Sequence, residues 1–143
     1  MPGRDSSQSQ VHALLHAASF VESRVDSKLS TIGLSLPKLA ALYHLVQAGD
    51  SLPLGQLAER LSCVRSNVTQ LVGRLEADGL VARTAGPGDR RSRLAVLTDA
   101  GRRAFEQGVR LREEAERELF GVLSEEETAQ LARIIEKLTR RTA

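Results

Sequence analysis

Between residues 65 and 74 the chain carries Arg65, Ser66, Asn67, Thr69, Gln70 and Arg74, interleaved with Val68, Leu71 and Val72. Amides of Asn and Gln can pair with adenine edges, and Ser or Thr hydroxyls reach bases or phosphates. Arginines on the flanks suit phosphate or base-edge contacts. Gly73 would let a backbone approach a duplex closely. A second basic group follows in GDRRSR, residues 88–93, where Arg90, Arg91 and Arg93 accompany one acid, Asp89. Arginines held on a narrow β loop suit a minor groove, where negative potential is enhanced. Each group has a plainer reading, a solvated helix face or a charged turn. Their succession favours the reading of a DNA duplex.

Other chemistry is thinly represented. His12 and His16 stand one helical turn apart and could face one metal, but no Cys, Asp or Glu lies nearby at ligand spacing. The single cysteine, Cys63, excludes an intrachain disulfide and any multi-cysteine metal site. It stands just before the polar segment, where a thiol near a helix start can ionise more readily. A packing role is the better reading. The carboxylates of REEAERE, residues 112–118, fit a solvated helix better than an acid/base pair, and no phosphate-binding glycine loop or nucleophile motif is present. The sequence therefore predicts no enzyme, no cofactor and no metal.

The elements that must position these residues follow from periodicity. After a loose polar start over residues 1–8, Val11, Leu14, Leu15, Ala18, Val21 and Val25 recur at helical spacing. Gly33 and Pro37 punctuate the chain before a second helix carrying Leu39, Leu42, Leu45 and Val46. Residues 52–61 read as a short helix with Leu54, Leu57, Ala58 and Leu61 inward. Ser62 and Cys63 make a break, and the next helix runs from Val64 or Arg65 to Asp78. Its stripe of Val68, Leu71, Val72 and Leu75 leaves Ser66, Thr69, Gln70 and Gly73 outward, with Asn67 and Arg74 beside them.

Gly79 ends that helix. Two β-compatible runs, 80–84 and 91–97, flank a Gly/Pro turn and predict a hairpin. Thr98 caps a helix to Phe120, and Ser124 with Glu127 forms a capping box for the last one, which carries Leu131, Ile134, Ile135 and Leu138. Two short helices and a hairpin in this order make a winged helix-turn-helix.

The chain has 143 residues, enough for one compact domain with flanking helices. Twenty Lys and Arg against 18 Asp and Glu give a formal charge of only +2. Resolved along the chain, residues 51–98 hold seven Arg and four acids, whereas residues 99–128 hold five Arg and nine acids. A basic half beside an acidic one explains how a nearly neutral chain can bind phosphate. With 3% aromatic residues little stacking is available for single strands, so duplex DNA is the expected target. No apolar run approaches a membrane span and the N-terminus has no signal-peptide core, which predicts a cytoplasmic protein without membrane contact.

The stretch LGQLAERLSCVRSNVTQLVGRLEADGLVART, followed by GDRRSRLAVLTDAG, resembles the MarR family of bacterial regulators, as does GLSLPKLAALYHL upstream. The resemblance covers about residues 10–140 and is most specific in the wing. It implies an obligate homodimer whose first and last helices intertwine and whose two winged domains read an inverted repeat. Arg91 resembles the wing-tip arginine and Asp89 the acid that orients it, while Ser66, Asn67, Thr69 and Gln70 match the base-reading face. Position 73 is Gly where the family often has an acid, and position 64 is Val where a polar residue is common. The resemblance also implies a small, often phenolic effector bound between the dimer helices and the winged domain, with His12, His16, Phe20, Tyr43 and His44 as its candidate lining.

The expectation is thus a mainly α fold with a small β-hairpin wing. Residues 35–98 would form the winged helix-turn-helix DNA-binding domain, and 9–34 with 99–143 the helical dimerisation region. The expected function is a homodimeric, sequence-specific transcriptional regulator, a repressor of nearby genes released by a small molecule. The alternatives are a redox- or metal-responsive regulator of the same fold, or a winged-helix protein-interaction adaptor without DNA contact.

Overall fold

The computed structural model describes residues 6–62, 65–86 and 93–140, the side chains of 6–8, 65 and 66 excepted. In chain order it contains α1 (Ser6–Leu29), a 3-10 turn (Ser30–Ile32), α2 (Leu36–Gln47), β1 (Ser51–Pro53), α3 (Leu54–Leu61), α4 (Arg65–Ala77), β2 (Val81–Ala85), β3 (Arg93–Leu97), α5 (Asp99–Phe120) and α6 (Glu125–Thr139).

The helices start and stop where side-chain chemistry allows. Ser35 caps α2, its hydroxyl accepting the Lys38 N–H, with Pro37 in the first turn. The Asp26 carboxylate accepts the Leu36 N–H at 2.7 Å and ties α1 to the start of α2. Gly33 and Gly79, at φ 76° each, provide the left-handed turns after the 3-10 segment and α4. At α6, Ser124 and Glu127 satisfy one another's backbone N–H groups in a complete capping box.

The core is aliphatic. Leu29, Leu42, Leu45, Leu57, Val68, Val72, Leu75 and Val81 converge from α1, α2, α3, α4 and β2 and lose essentially all solvent contact. Each such side chain contributes about 1.5–3 kcal/mol relative to exposure. No polar or charged residue is buried among the described residues, so the fold rests on apolar packing.

Two expectations change. Residues 52–61 are not one helix: Ser51–Pro53 form a strand first, and the expected two-stranded hairpin becomes an antiparallel sheet in the order β1-β3-β2. Gly49 and Asp50, at φ 78° and 82°, swing the chain so that Ser51 pairs with Val96 and Pro53 with Leu94. Pro53 has an extended ψ of 143° and stands as the N-cap, so α3 begins at Leu54. A strand of three residues is too short to show a period. At the N-terminus, α1 already includes Ser6, inside the stretch expected to be loose.

Thr98 is the joint between the winged segment and α5. Its hydroxyl accepts the Gly101 N–H at 3.0 Å and donates to the Gly79 carbonyl at 2.7 Å, while its N–H donates to the Leu80 carbonyl at 3.1 Å. A Cβ on Gly101 would lie 2.0 Å from the Leu80 carbonyl oxygen, so only glycine fits there. Farther along α5, a Cβ on Gly108 would meet Leu39 at 2.7 Å and Leu34 at 2.9 Å, which lets α5 press against α2.

The two glycines at 73 and 101 should therefore respond to alanine with opposite signs. Gly101→Ala should lower unfolding free energy by about 1–3 kcal/mol through overpacking. Gly73→Ala, whose Cβ would meet nothing within 4 Å, should raise it by up to about 1 kcal/mol through helix propensity. Denaturant titration of both variants checks this, and equal effects would contradict the packing described.

Candidate nucleic-acid interface

The helix-turn-helix forms because α3 ends at Ser62, in the left-handed region at φ 53°, and α4 restarts at Arg65. Val68, Val72 and Leu75 are fully buried, with Leu71 half-buried, so the apolar stripe holds one side of α4 against the core. Asn67, Thr69, Gln70 and Arg74 are consequently exposed on the remaining surface, and Gly73 is half-exposed among them. Arg65 and Ser66 open the same helix, with side chains outside the described set. On the wing, Arg93 is exposed at the start of β3, paired with Ala85 across the sheet. Asp89, Arg90 and Arg91 lie outside the described residues, as does Cys63.

Helix and wing meet around an open cleft of about 450 Å³ lined by Leu54, Thr69, Glu76, Arg83 and Arg93. The sequence singles out Thr69 and Arg93 but not Glu76 and Arg83, which are joined by three hydrogen bonds. Glu76 Oε1 accepts from Arg83 Nη2 at 2.9 Å and from Nε at 3.2 Å, while Oε2 accepts the Arg83 backbone N–H at 3.3 Å. The available signal was spacing: Glu76 follows Thr69 by two helical turns and shares its face.

These hydrogen bonds favour the charged carboxylate. The Arg83 side chain and then its backbone N–H hold the Glu76 carboxyl below its ordinary value of 4.5; desolvation opposes them, and the charges of Arg83 and Arg93 add smaller lowering effects. Elsewhere, Lys28 bridges α1 to α5 through Glu118 at 3.1 Å and Glu114 at 3.4 Å. The Glu118 hydrogen bond chiefly raises its pKa above 10.5. Asp50 and Arg102 form a further ion pair between the turn before β1 and the first turn of α5.

The residues considered for an effector distribute over two elements. His12, His16 and Phe20 follow one another at four-residue spacing on α1, all exposed, and the Arg24 guanidinium lies 5.1 Å from the Phe20 ring centre. Tyr43 and His44 are brought together on α2, their rings edge to face at 5.2 Å, with Phe105 of α5 at 6.4 Å from Tyr43. Tyr43 opens on a recess of about 190 Å³ shared with Leu36, Leu39, Ala40 and Arg112, whereas Phe20 lines a different groove with Arg24, Lys28 and Leu119. Among the described residues no three His, Cys, Asp or Glu side chains gather as a metal site, and no single helix is long and apolar enough to cross a membrane.

A three-helix core bearing a helix with a polar outward face, followed by an antiparallel wing, defines a winged helix-turn-helix DNA-binding protein. A MarR family model matches residues 32–92. The transcriptional repressor MdtR of Bacillus subtilis is 36% identical over 108 residues, covering 76% of this chain and 69% of that protein. Sco5413, a MarR family transcriptional regulator from Streptomyces coelicolor, is 27% identical, with 94% of each chain covered and a TM-score of 0.84. Sco3205, another regulator from Streptomyces coelicolor solved in complex with DNA, is 26% identical, with 96% of this chain and 88% of that one covered and a TM-score of 0.82. The chain belongs to the MarR family and is a non-enzymatic transcriptional regulator.

The lowered Glu76 pKa fixes a sign. Its ion pair with Arg83 contributes above about pH 4.5 and is lost as pH falls through the lowered folded value. In an NMR titration the Glu76 carboxyl carbon should show a midpoint below 4.5 that rises in Arg83→Ala. Coincident midpoints would contradict the pairing.

Proposed function

We propose that the chain is a homodimeric, sequence-specific double-stranded DNA-binding repressor of nearby genes, released by a small-molecule effector in the cytoplasm. The observation that carries the DNA reading is the exposure of Asn67, Thr69, Gln70 and Arg74 on α4, next to Arg93 at the wing. On this reading α4 enters the major groove, with Arg65 and Ser66 at its leading end. Gln70 and Asn67 read base edges. Arg74 and Arg93 hold phosphates, and Arg90 and Arg91 extend the wing into the minor groove, with Asp89 orienting Arg91.

The homodimer is supported by apolar surface that one chain leaves open. Val11, Leu14 and Leu15 on α1 and Ile134, Ile135 and Leu138 on α6 are all exposed, and α6 buries none of its own residues. A second copy covers such stripes most simply. Residues 9–34 and 99–143 then assemble the dimer while residues 35–98 read DNA. Two-fold symmetry sets the reading helices about one turn of DNA apart, which calls for an inverted-repeat operator. A small aromatic ligand bound beside Tyr43 and His44, which supply a partly exposed aromatic lining, is the proposed effector; His12, His16 and Phe20 lie along α1, with Phe20 on a separate groove.

Selection from a random duplex library by the full chain should return an inverted repeat. Gln70→Ala should alter the preferred base, at about 1–3 kcal/mol of lost discrimination. Arg91→Ala should weaken selected and shuffled duplexes alike and reduce the salt slope by about one. Equal loss on both duplexes for Gln70→Ala would argue against base reading by that residue.

A further inference from the structure

We propose that Glu76 is a specificity-determining positioning residue, which grips Arg83 to fix the wing against α4 and to keep the Arg83 guanidinium off the DNA backbone. This rests on the reading of α4 and the wing as the DNA-contacting face.

The contact engages both carboxylate oxygens of Glu76. Glu76 uses one oxygen on the guanidinium, at 2.9 and 3.2 Å, and the other on the backbone N–H of the same residue, at 3.3 Å. It therefore holds strand β2 itself as well as a flexible side chain. Arg83 stands two residues after Val81, which is anchored in the core, and alternation places both on one side of the strand. In register, Arg83 pairs with Ala95, at the middle of β3, so a grip on Arg83 is a grip on the middle of the sheet. The α4 end of the tie is equally defined, because neighbouring Leu75 is fully buried. Exposed ion pairs do little for folding stability, so the position of this one points to a different use.

That position is the cleft between recognition helix and wing, shared with Thr69 and Arg93. An unpaired acid there would repel phosphate, and an unpaired Arg83 would attract it regardless of sequence. Joined, they offset one another, and among the described residues that line the cleft Arg93 is the other cationic group. The pair thus lowers indiscriminate attraction at the place where helix and wing must be set at one mutual angle to read a single site.

The two single variants then separate charge from alignment. The full chain is titrated with the duplex that the wild type selects from a random library and with a shuffled duplex of the same composition, over a range of salt. Glu76→Ala frees Arg83, so affinity for the shuffled duplex should rise, with a salt slope steeper by about one. Arg83→Ala leaves the acid exposed, so affinity for the shuffled duplex should fall. In both, the ratio of selected to shuffled affinity should drop on the order of tenfold, the scale of one good base contact. A loss of folded protein would reduce both affinities and leave the ratio alone, and denaturant midpoints measure that fraction independently. Ratios within about twofold of wild type in both variants would overturn the proposal. A wild-type chain that fails to distinguish any selected duplex from its shuffled partner would overturn the DNA reading with it.

Discussion

The burial of Val68, Val72 and Leu75 along one stripe of α4 is the constraint on which the rest of the structure depends. A helix clamped on one side has no rotational freedom, so the identity of its outward face is decided by what it buries. With three side chains locked between α2, α3 and the sheet, Thr69 and Gln70 have nowhere to go but outward. Core packing thus decides which polar residues α4 presents at the surface.

The position of α4 is passed on to the rest of the chain through its junctions. The junction at Thr98 does this: one hydroxyl ties the end of α4, at Gly79, to the first turn of α5, and Gly101 lets the Leu80 carbonyl sit where a side chain would otherwise be. The Asp50–Arg102 pair braces the same corner from the β1 side. Farther along, Gly108 brings α5 onto α2, and Lys28 links α5 to α1. Rigid elements joined by short polar ties, with an aliphatic interior, form a continuous path between the winged segment and the long helices. The T-x-x-G sequence at the start of α5 thereby acquires a physical meaning: a cap that makes two hydrogen bonds and a glycine required by a carbonyl.

Helix periodicity and capping chemistry were readable because each acts within a few residues. The α4 stripe, the Thr98 cap and the Ser124–Glu127 capping box all lie within single segments, and the structure reproduces them. Strand β1 was not readable: its three residues owe their conformation to pairing with β3, more than 40 positions away, and to a turn at Asp50 that no local preference demands. The Glu76–Arg83 tie was missed for a related reason. Each residue belongs to a separate element, and only the angle between α4 and the sheet brings them together. The polar outward face of α4 was legible because exposure on a helix follows from which neighbours are apolar, whereas the partners of exposed charges follow from tertiary geometry.

The proposed function uses the apolar surface along α1 and α6 and the polar face of α4 in one assembly, two copies of the chain presenting paired reading helices to one duplex. A hydroxyl-radical footprint of the full chain on its selected duplex tests this most directly. The account predicts two protected windows related by two-fold symmetry, centred about one helical turn apart, each flanked by minor-groove protection from a wing. A single window without symmetry, or protection that leaves the flanking minor grooves open, would contradict it.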